Sequence, residues 1–392
     1  MTYKIAEKWQ SISTFSLDVE ALRHYDDVID LSIGDTDFVT DPEVINAACA
    51  DAHAGYTHYG FPQGDPELID AIRAYWREDF GQEINPDNVY VTASSSLGMV
   101  MVLMALLNPG DEVIVFSPYF PVYRSQVMAA GGRIVDVPLS DSDGWAIHED
   151  ALEAAVSSRT RVIIFNNPCN PTGAVYAAED YQAIANVALR HDLIVAADEI
   201  YTDYCFAPGV SFVPMRSLPG MAAQTVTLNS FSKNFLMTGW RVGYMIADKP
   251  LIDAVGRISD TLIYTAPSIS QRAAIRALGV RERIRKEYTA EYGRRQALAI
   301  RKIHHIPYFD LVDPQGTFYM FPSIRRTGLT SADFVEFALR NAHVLLLAGD
   351  AFGIAGSGHV RIALNAQRPV IDEACDRLAA VAPQFTAGGA DS

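Results

Sequence analysis

Short apolar runs rich in β-branched residues recur along the first two thirds of the chain, with stretches of helical length between them. Val89–Thr92, Glu112–Phe116, Arg161–Phe165, Leu193–Ala197, Thr225–Leu228 and Arg241–Ile246 each have the length and composition of a strand. Several are apolar throughout rather than alternating, as strands covered on both faces are. The alternation of strand and helix from about Asp41 to about Leu278 predicts an α/β fold with a mostly parallel sheet under helices. From Ser268 to Ile303 the pattern is that of one long helix joining two domains. Its charge cluster (Arg281, Glu282, Arg283, Arg285, Lys286, Glu287) reads as a solvated face. Beyond it, residues 316–321 and Val360–Leu364 predict strands of a smaller α+β domain. The tail Thr386–Ser392 is small and polar, and is expected to be disordered.

Composition narrows the class. A chain of 392 residues suggests about two domains, without repeats or low-complexity linkers. A hydrophobic fraction of 49% allows a sizeable core. A net charge of −16 argues against nucleic acid or anionic membrane as a partner. Cys49, Cys169, Cys205 and Cys375 are scattered, which indicates neither a zinc site nor a disulfide framework and fits a reducing cytoplasm. Met1–Gln10 has no apolar core of the signal-peptide kind, and no apolar run is long enough to span a membrane. The expectation is a cytoplasmic protein.

Five segments carry candidate chemistry. Lys233 lies in Ser230-Phe231-Ser232-Lys233, with Arg241 and Gly243 shortly after it; hydroxyls and a guanidinium together suit a phosphate. Asn167-Pro168-Cys169-Asn170-Pro171-Thr172-Gly173 follows an apolar strand and makes a rigid loop. Asp198 closes another apolar strand, with Tyr201 just beyond, and ligands of open α/β sheets bind at the C-terminal ends of strands. Ser94-Ser95-Ser96 sits between a strand and the helical stretch from Leu97, where free N–H groups and the helix dipole attract anions. Arg361 stands between Val360 and Ile362, on the opposite face of an alternating strand.

Taken in chain order, the segments resemble the class I/II aminotransferase family, fold-type I enzymes that use pyridoxal 5'-phosphate, from Gly34 to Arg361. The resemblance implies that Lys233 condenses with the cofactor aldehyde and that Asp198 is ionised against the ring nitrogen. It implies that Asn170 and Tyr201 bond the phenolic oxygen and that Phe120, in Ser117-Pro118-Tyr119-Phe120-Pro121, stacks on the ring. The phosphate falls to Ser94, Ser95, Ser96, Ser230, Ser232 and Arg241, with Tyr59 of a neighbouring subunit. Arg361 grips the substrate α-carboxylate, Asn170 lies beside it, and Gly34 lets the backbone approach the substrate. The resemblance also implies a large domain over 41–285, a small domain from 1–40 and 286–392, and a homodimer sharing its active sites. The family's acidic-Pro pair is Asp35-Thr36 here, a departure.

The expected activity moves the amino group of an L-amino acid to a 2-oxo acid, with Lys233, Asp198 and Tyr201 as catalytic residues. An aspartate aminotransferase and a carbon–sulfur lyase of the same fold are alternatives. A cofactor-sensing regulator would need a DNA-reading domain and a basic patch, which the sequence lacks. Positions where acid-specific relatives carry a cation hold Ser96 and Thr261. A neutral or aromatic donor is therefore expected, in a pocket that Phe38, Phe120 and Tyr264 could line. Arg257 is a candidate for an unexpected cation reaching in.

Overall fold

The computed structural model describes residues 3–6, 9 and 25–386. The tail expected to be disordered, beyond Thr386, and most of the first 24 residues, including half of the Met1–Gln10 stretch, lie outside the described residues.

Twelve strands are numbered in chain order. β1 (Ile29–Asp30) precedes the large sheet, which comprises β2 (Val89–Thr92), β3 (Glu112–Ser117), β4 (Arg133–Pro138), β5 (Thr160–Asn166), β6 (Ile194–Asp198), β7 (Thr225–Ser230) and β8 (Gly243–Ile246). Its order is β2-β8-β7-β6-β5-β3-β4. Only β8 runs against its neighbours; the β3–β4, β3–β5, β5–β6 and β6–β7 pairs are all parallel. β2, β3, β5, β7 and β8 are buried along nearly their whole length, matching their apolar runs. Helices cover both faces, forming one core around Ile163, Ile184 and Val195 and another around Val102, Val115 and Val226.

β4 was not anticipated. It is an edge strand with charged Arg133 and Asp136, and all but Val137 are at least partly exposed, so an apolar run does not mark it.

The second part of the fold is built from β9 (Tyr319–Met320), β10 (Val344–Leu345), β11 (Leu347–Ala348) and β12 (Val360–Ala363). β11, β12 and β9 form an antiparallel sheet, and β10 pairs in parallel with β1. Their core gathers Leu31, Phe318, Phe334, Val360, Ile362, Ile371 and Leu378, with Tyr201 and Tyr204 reaching in from the loop after β6.

The single long helix expected over 268–303 is interrupted. Helices Ser268–Gly279 and Arg281–Ile284 meet at Val280, and a π-helical turn at Arg285–Thr289 leads into Ala290–Ile303. The charge cluster is only partly solvated. Glu282, Lys286 and Glu287 are exposed. The arginines instead bind carboxylates distant in the chain: Arg281 and Arg285 both hold Asp79 near the end of helix Pro66–Phe80, Arg285 also holds Asp203 in the turn after β6 (3.0 Å), and Arg283 holds Asp41, the N-cap of helix Pro42–His53 (2.7 Å). Every third or fourth residue faces one way on a helix, so the run divides between a paired face and a wet one.

Candidate active site

The C-terminal ends of β2, β3, β5, β6 and β7 open onto a cavity of about 330 Å³, closed from the other side by Ile33, Gly34, Asp35, Tyr319 and Arg361. The register sets Asn166 of β5 beside Asp198 of β6, so two polar side chains reach the cavity at one level.

Lys233 projects from a one-turn helix, Phe231–Asn234, directly after β7. Ser230 caps that turn: its Oγ accepts from the Ser232 amide (3.1 Å) and donates to Ser232 Oγ (2.9 Å). Lys233 Nζ donates to the Gly34 carbonyl. Burial pushes its ammonium down to about 8, opposed by nearby Asp35 and aided by Arg361 and Arg241. A fraction of the amine is therefore neutral, and nucleophilic, near physiological pH.

Asp198 is buried and accepts from the Tyr123 hydroxyl through Oδ2 (2.5 Å). Its Oδ1 is buried without a partner. Burial pushes this carboxyl up to about 6, although the Tyr123 bond favours the ionised form. The carboxylate expected to be ionised is thus held there only loosely until a donor meets Oδ1. A protonated ring nitrogen is such a donor.

Asn170 Oδ1 accepts from Arg361 Nη1 (3.1 Å), which leaves its Nδ2 to donate. Arg361 Nη2 donates to the Ser32 carbonyl (2.7 Å), and its Nε is buried without a partner. The guanidinium lies over the Tyr319 and Phe352 rings, at 4.6 and 5.1 Å. Tyr201 shares a 3.0 Å hydrogen bond with Tyr319. Gly34 is required at its position: a Cβ there would stand 2.3 Å from the Tyr319 hydroxyl.

Ser94, Ser95, Ser96, Ser232 and Arg241 line the opposite end. Ser94 caps the helix Ser95–Leu106 by accepting from Leu97 N (3.0 Å), which aims the first-turn amides at this end. A Cβ on Gly243 would stand 2.8 Å from Ser95 N, so this glycine lets β8 pass beneath the serine turn. Arg241 has a left-handed backbone (φ 54°), held by Nη1 on Thr238 O (2.7 Å).

The structure thus brings Gly34, Ser94, Ser95, Ser96, Phe120, Asn170, Asp198, Tyr201, Ser232, Lys233, Arg241 and Arg361 to one cavity. Ser230 lies one layer behind it. Tyr59 lies outside it, 85% exposed, with its ring edge-on to Tyr264 (5.4 Å). Phe38 and Tyr264 do not line it: Phe38 packs under Arg295 and Tyr264 is exposed beside Tyr59. Ile33, Val122, Ile200 and Tyr319 supply the apolar wall along with Phe120. Tyr123 and Tyr319 escaped sequence reasoning. Tyr123 follows Phe120 by three residues, a spacing that returns side chains to one side of a helical turn. Tyr319 carries no comparable signal.

Residues 26–378 match the family model described as aminotransferase class I and II. The chain belongs to that family. An aspartate aminotransferase of Pyrococcus abyssi is 36% identical over 355 residues, 90% of this chain and 91% of the relative. An arginine–pyruvate transaminase of Pseudomonas aeruginosa is 34% identical over 360 residues, 92% and 91% of the two chains. The crystal structure of an aromatic aminotransferase from Pyrococcus horikoshii superposes with a TM-score of 0.89 at 36% identity, covering 94% of this chain and 99% of that one. The class I and II aminotransferase is therefore a fold-type I enzyme that uses pyridoxal phosphate, with an amino acid and a 2-oxo acid as substrates. The orphaned Asp198 Oδ1, the Lys233 amine made less basic by burial and the serine-lined helix start all fit that cofactor.

Proposed function

We propose that this aminotransferase takes an L-amino donor with a neutral or aromatic side chain. One observation carries the reading. Among the described residues, the cations lining the cavity are Lys233, Arg241 and Arg361, and each has work that every amino acid requires. Asp35 adds a carboxylate to the wall rather than a counter-ion. Thr261 and Arg257 line a separate surface hollow beside Met104 and Leu262. A side-chain carboxylate would enter without a partner, at a desolvation cost of several kcal/mol.

Pyridoxal phosphate supplies an aldehyde that captures the donor's amino group and a ring that withdraws electrons from its Cα. Arg361 holds the α-carboxylate through paired N–H groups and so sets the angle of the Cα–H bond. Lys233 takes the proton from Cα, and its lowered basicity lets it give the proton up again. Asp198 Oδ1 would accept from the ring N–H, and Tyr123 keeps Oδ2 occupied so that the carboxylate is aimed one way. Asn170 Nδ2 and the Tyr201 hydroxyl would bond the phenolic oxygen, while the serine turn and Arg241 would hold the phosphate.

The active unit is a homodimer, and the chain divides into 41–285 and 1–40 with 286–392. Support for the dimer comes from Tyr59 and Phe61, 85% and 64% exposed beside Tyr264 and far less soluble there than under a second copy. Comparing kcat/KM for aspartate, alanine, methionine and phenylalanine with one common acceptor tests the donor. Phenylalanine or methionine should lead; aspartate ahead by about tenfold, ~1.4 kcal/mol, would overturn the assignment.

A further inference from the structure

Between the substrate-gripping Arg361 and the anchoring Lys233 runs the segment 31–41. Its first half is stapled to the β12 strand and its continuation: Ala363 N donates to Leu31 O (2.8 Å), Arg361 Nη2 to Ser32 O (2.7 Å) and Asn365 Nδ2 to Ile33 O (3.0 Å). Its far end is pinned beside Lys233: Thr40 Oγ1 donates to Leu236 O (2.6 Å) and accepts from Trp240 Nε1 (3.0 Å). Gly34 and Asp35 face the cavity between these ends, and Asp35 bonds only its neighbour's amide within the segment.

An ion pair between a buried arginine and a partly exposed aspartate secures this middle. Arg295 is 1% exposed and meets Asp37 with both ends of its fork, Nη1 to Oδ1 at 2.7 Å and Nη2 to Oδ2 at 2.9 Å. Tyr292 donates to the same Oδ1 (2.9 Å), and Nη1 also reaches the Leu364 carbonyl (3.2 Å). The guanidinium is flanked by the Phe38 and Tyr292 rings at 4.8 and 4.9 Å. An ion pair open to water on one side adds little net stability, so stability alone gives little reason for it. A bidentate pair does fix distance and angle. Here the two things it fixes are the loop carrying Gly34 and Asp35 and the strand end next to Arg361.

We propose that Asp37 and Arg295 are positioning residues that hold the Gly34–Asp35 loop at a set distance from Arg361, and so set how well substrate is bound. The inference rests on Arg361 as the α-carboxylate grip. Misplacement there weakens binding of donor and acceptor alike, because both carry the same carboxylate. The residues assigned to the cofactor's ring and phosphate lie on the large sheet, and the loop meets them only at Lys233, through the Gly34 carbonyl and the nearby Asp35.

Asp37→Asn keeps one acceptor and removes the charge; Arg295→Lys keeps the charge and removes the fork. In Asp37→Asn, KM for both substrates should rise by about tenfold with kcat within about threefold. Arg295→Lys should fall between it and the parent. Affinity of the apoprotein for pyridoxal phosphate, followed by fluorescence quenching, should be unchanged in both. If Asp37→Asn does not fold, Arg295→Lys alone is read for the same split. An unchanged KM, or cofactor affinity falling in step with KM, overturns the proposal. Arg361→Lys is measured alongside. If it leaves KM unchanged, the reading of the site fails; if it raises KM while the Asp37 and Arg295 variants do not, only the positioning role fails.

Discussion

Lys233 and Asp198 show at the scale of single residues how burial prepares reactive groups. Lys233 is pushed down to about 8 because an ammonium is poorly solvated there. Capture of pyridoxal phosphate by the apoprotein should therefore quicken as pH rises and level off above about 8, and a flat stopped-flow absorbance profile would contradict this. After borohydride reduction, intact mass should show the cofactor on the parent protein and none on Lys233→Ala; a labelled variant would refute the anchor. Asp198 is pushed up to about 6 and its neighbour Glu199 to about 8, both by burial. Folded values above unfolded ones mean a stability contribution fully present below pH ~4 and lost as pH rises through about 6 and then 8. The apoprotein should weaken over that window, with the Asp198 share on the order of 3 kcal/mol at most. Asp198→Asn should flatten the acidic part of the curve, measured by denaturant midpoints against pH; an unchanged curve would show that Oδ1 is already satisfied. Lysine, asparagine, aspartate and the two arginines were legible because each sits in a short motif at a strand end. Tyr319 was not, since its role depends on a ring meeting Gly34 from a distant strand.

Elements were legible where burial was uniform. β2, β3, β5, β6, β7 and β8 announce themselves as apolar runs because both faces are covered. β4 is a mixed-composition edge strand, and β1, β10 and β11 are two residues long, too short to show any period; β9 keeps only Tyr319–Met320 of the strand expected over 316–321. The 268–303 region shows the reverse error: helical periodicity persisted across Val280, while the pairing of its arginines depended on helices far away in the chain. Asp79, with a side chain 11% exposed, receives both Arg281 and Arg285. Asp79→Ala should cost about 1–3 kcal/mol by removing charged hydrogen bonds. Glu282→Gln, on the wet side, should stay within about 0.5 kcal/mol. Chemical denaturation of the two variants checks the division; equal losses would restore the solvated-face reading.

At the scale of the whole molecule the proposed second copy can be tested. If Tyr59 completes a neighbour's phosphate site, mixing an inactive Lys233→Ala chain with a weakened Tyr59→Phe chain should restore some activity, because the hybrid site with an intact Lys233 and Arg361 then receives an intact Tyr59 from its neighbour. Full activity from a monomer in sedimentation would end the dimer proposal. At this scale, the amino-acid sequence by itself determined the α/β alternation, the strand ends that carry Lys233, Asp198 and Asn170, and the family to which they belong. These are local: a covered strand needs an unbroken apolar run, and a phosphate site needs a serine turn at a helix start. Tertiary structure alone decided that Tyr123 holds Asp198, that Tyr319 meets Gly34, that Phe38 turns to Arg295 instead of the cavity, and that Asp37 ties the substrate loop to a helix more than 250 residues away in the chain. Such pairings are set by how packed elements meet. No spacing along the chain encodes them.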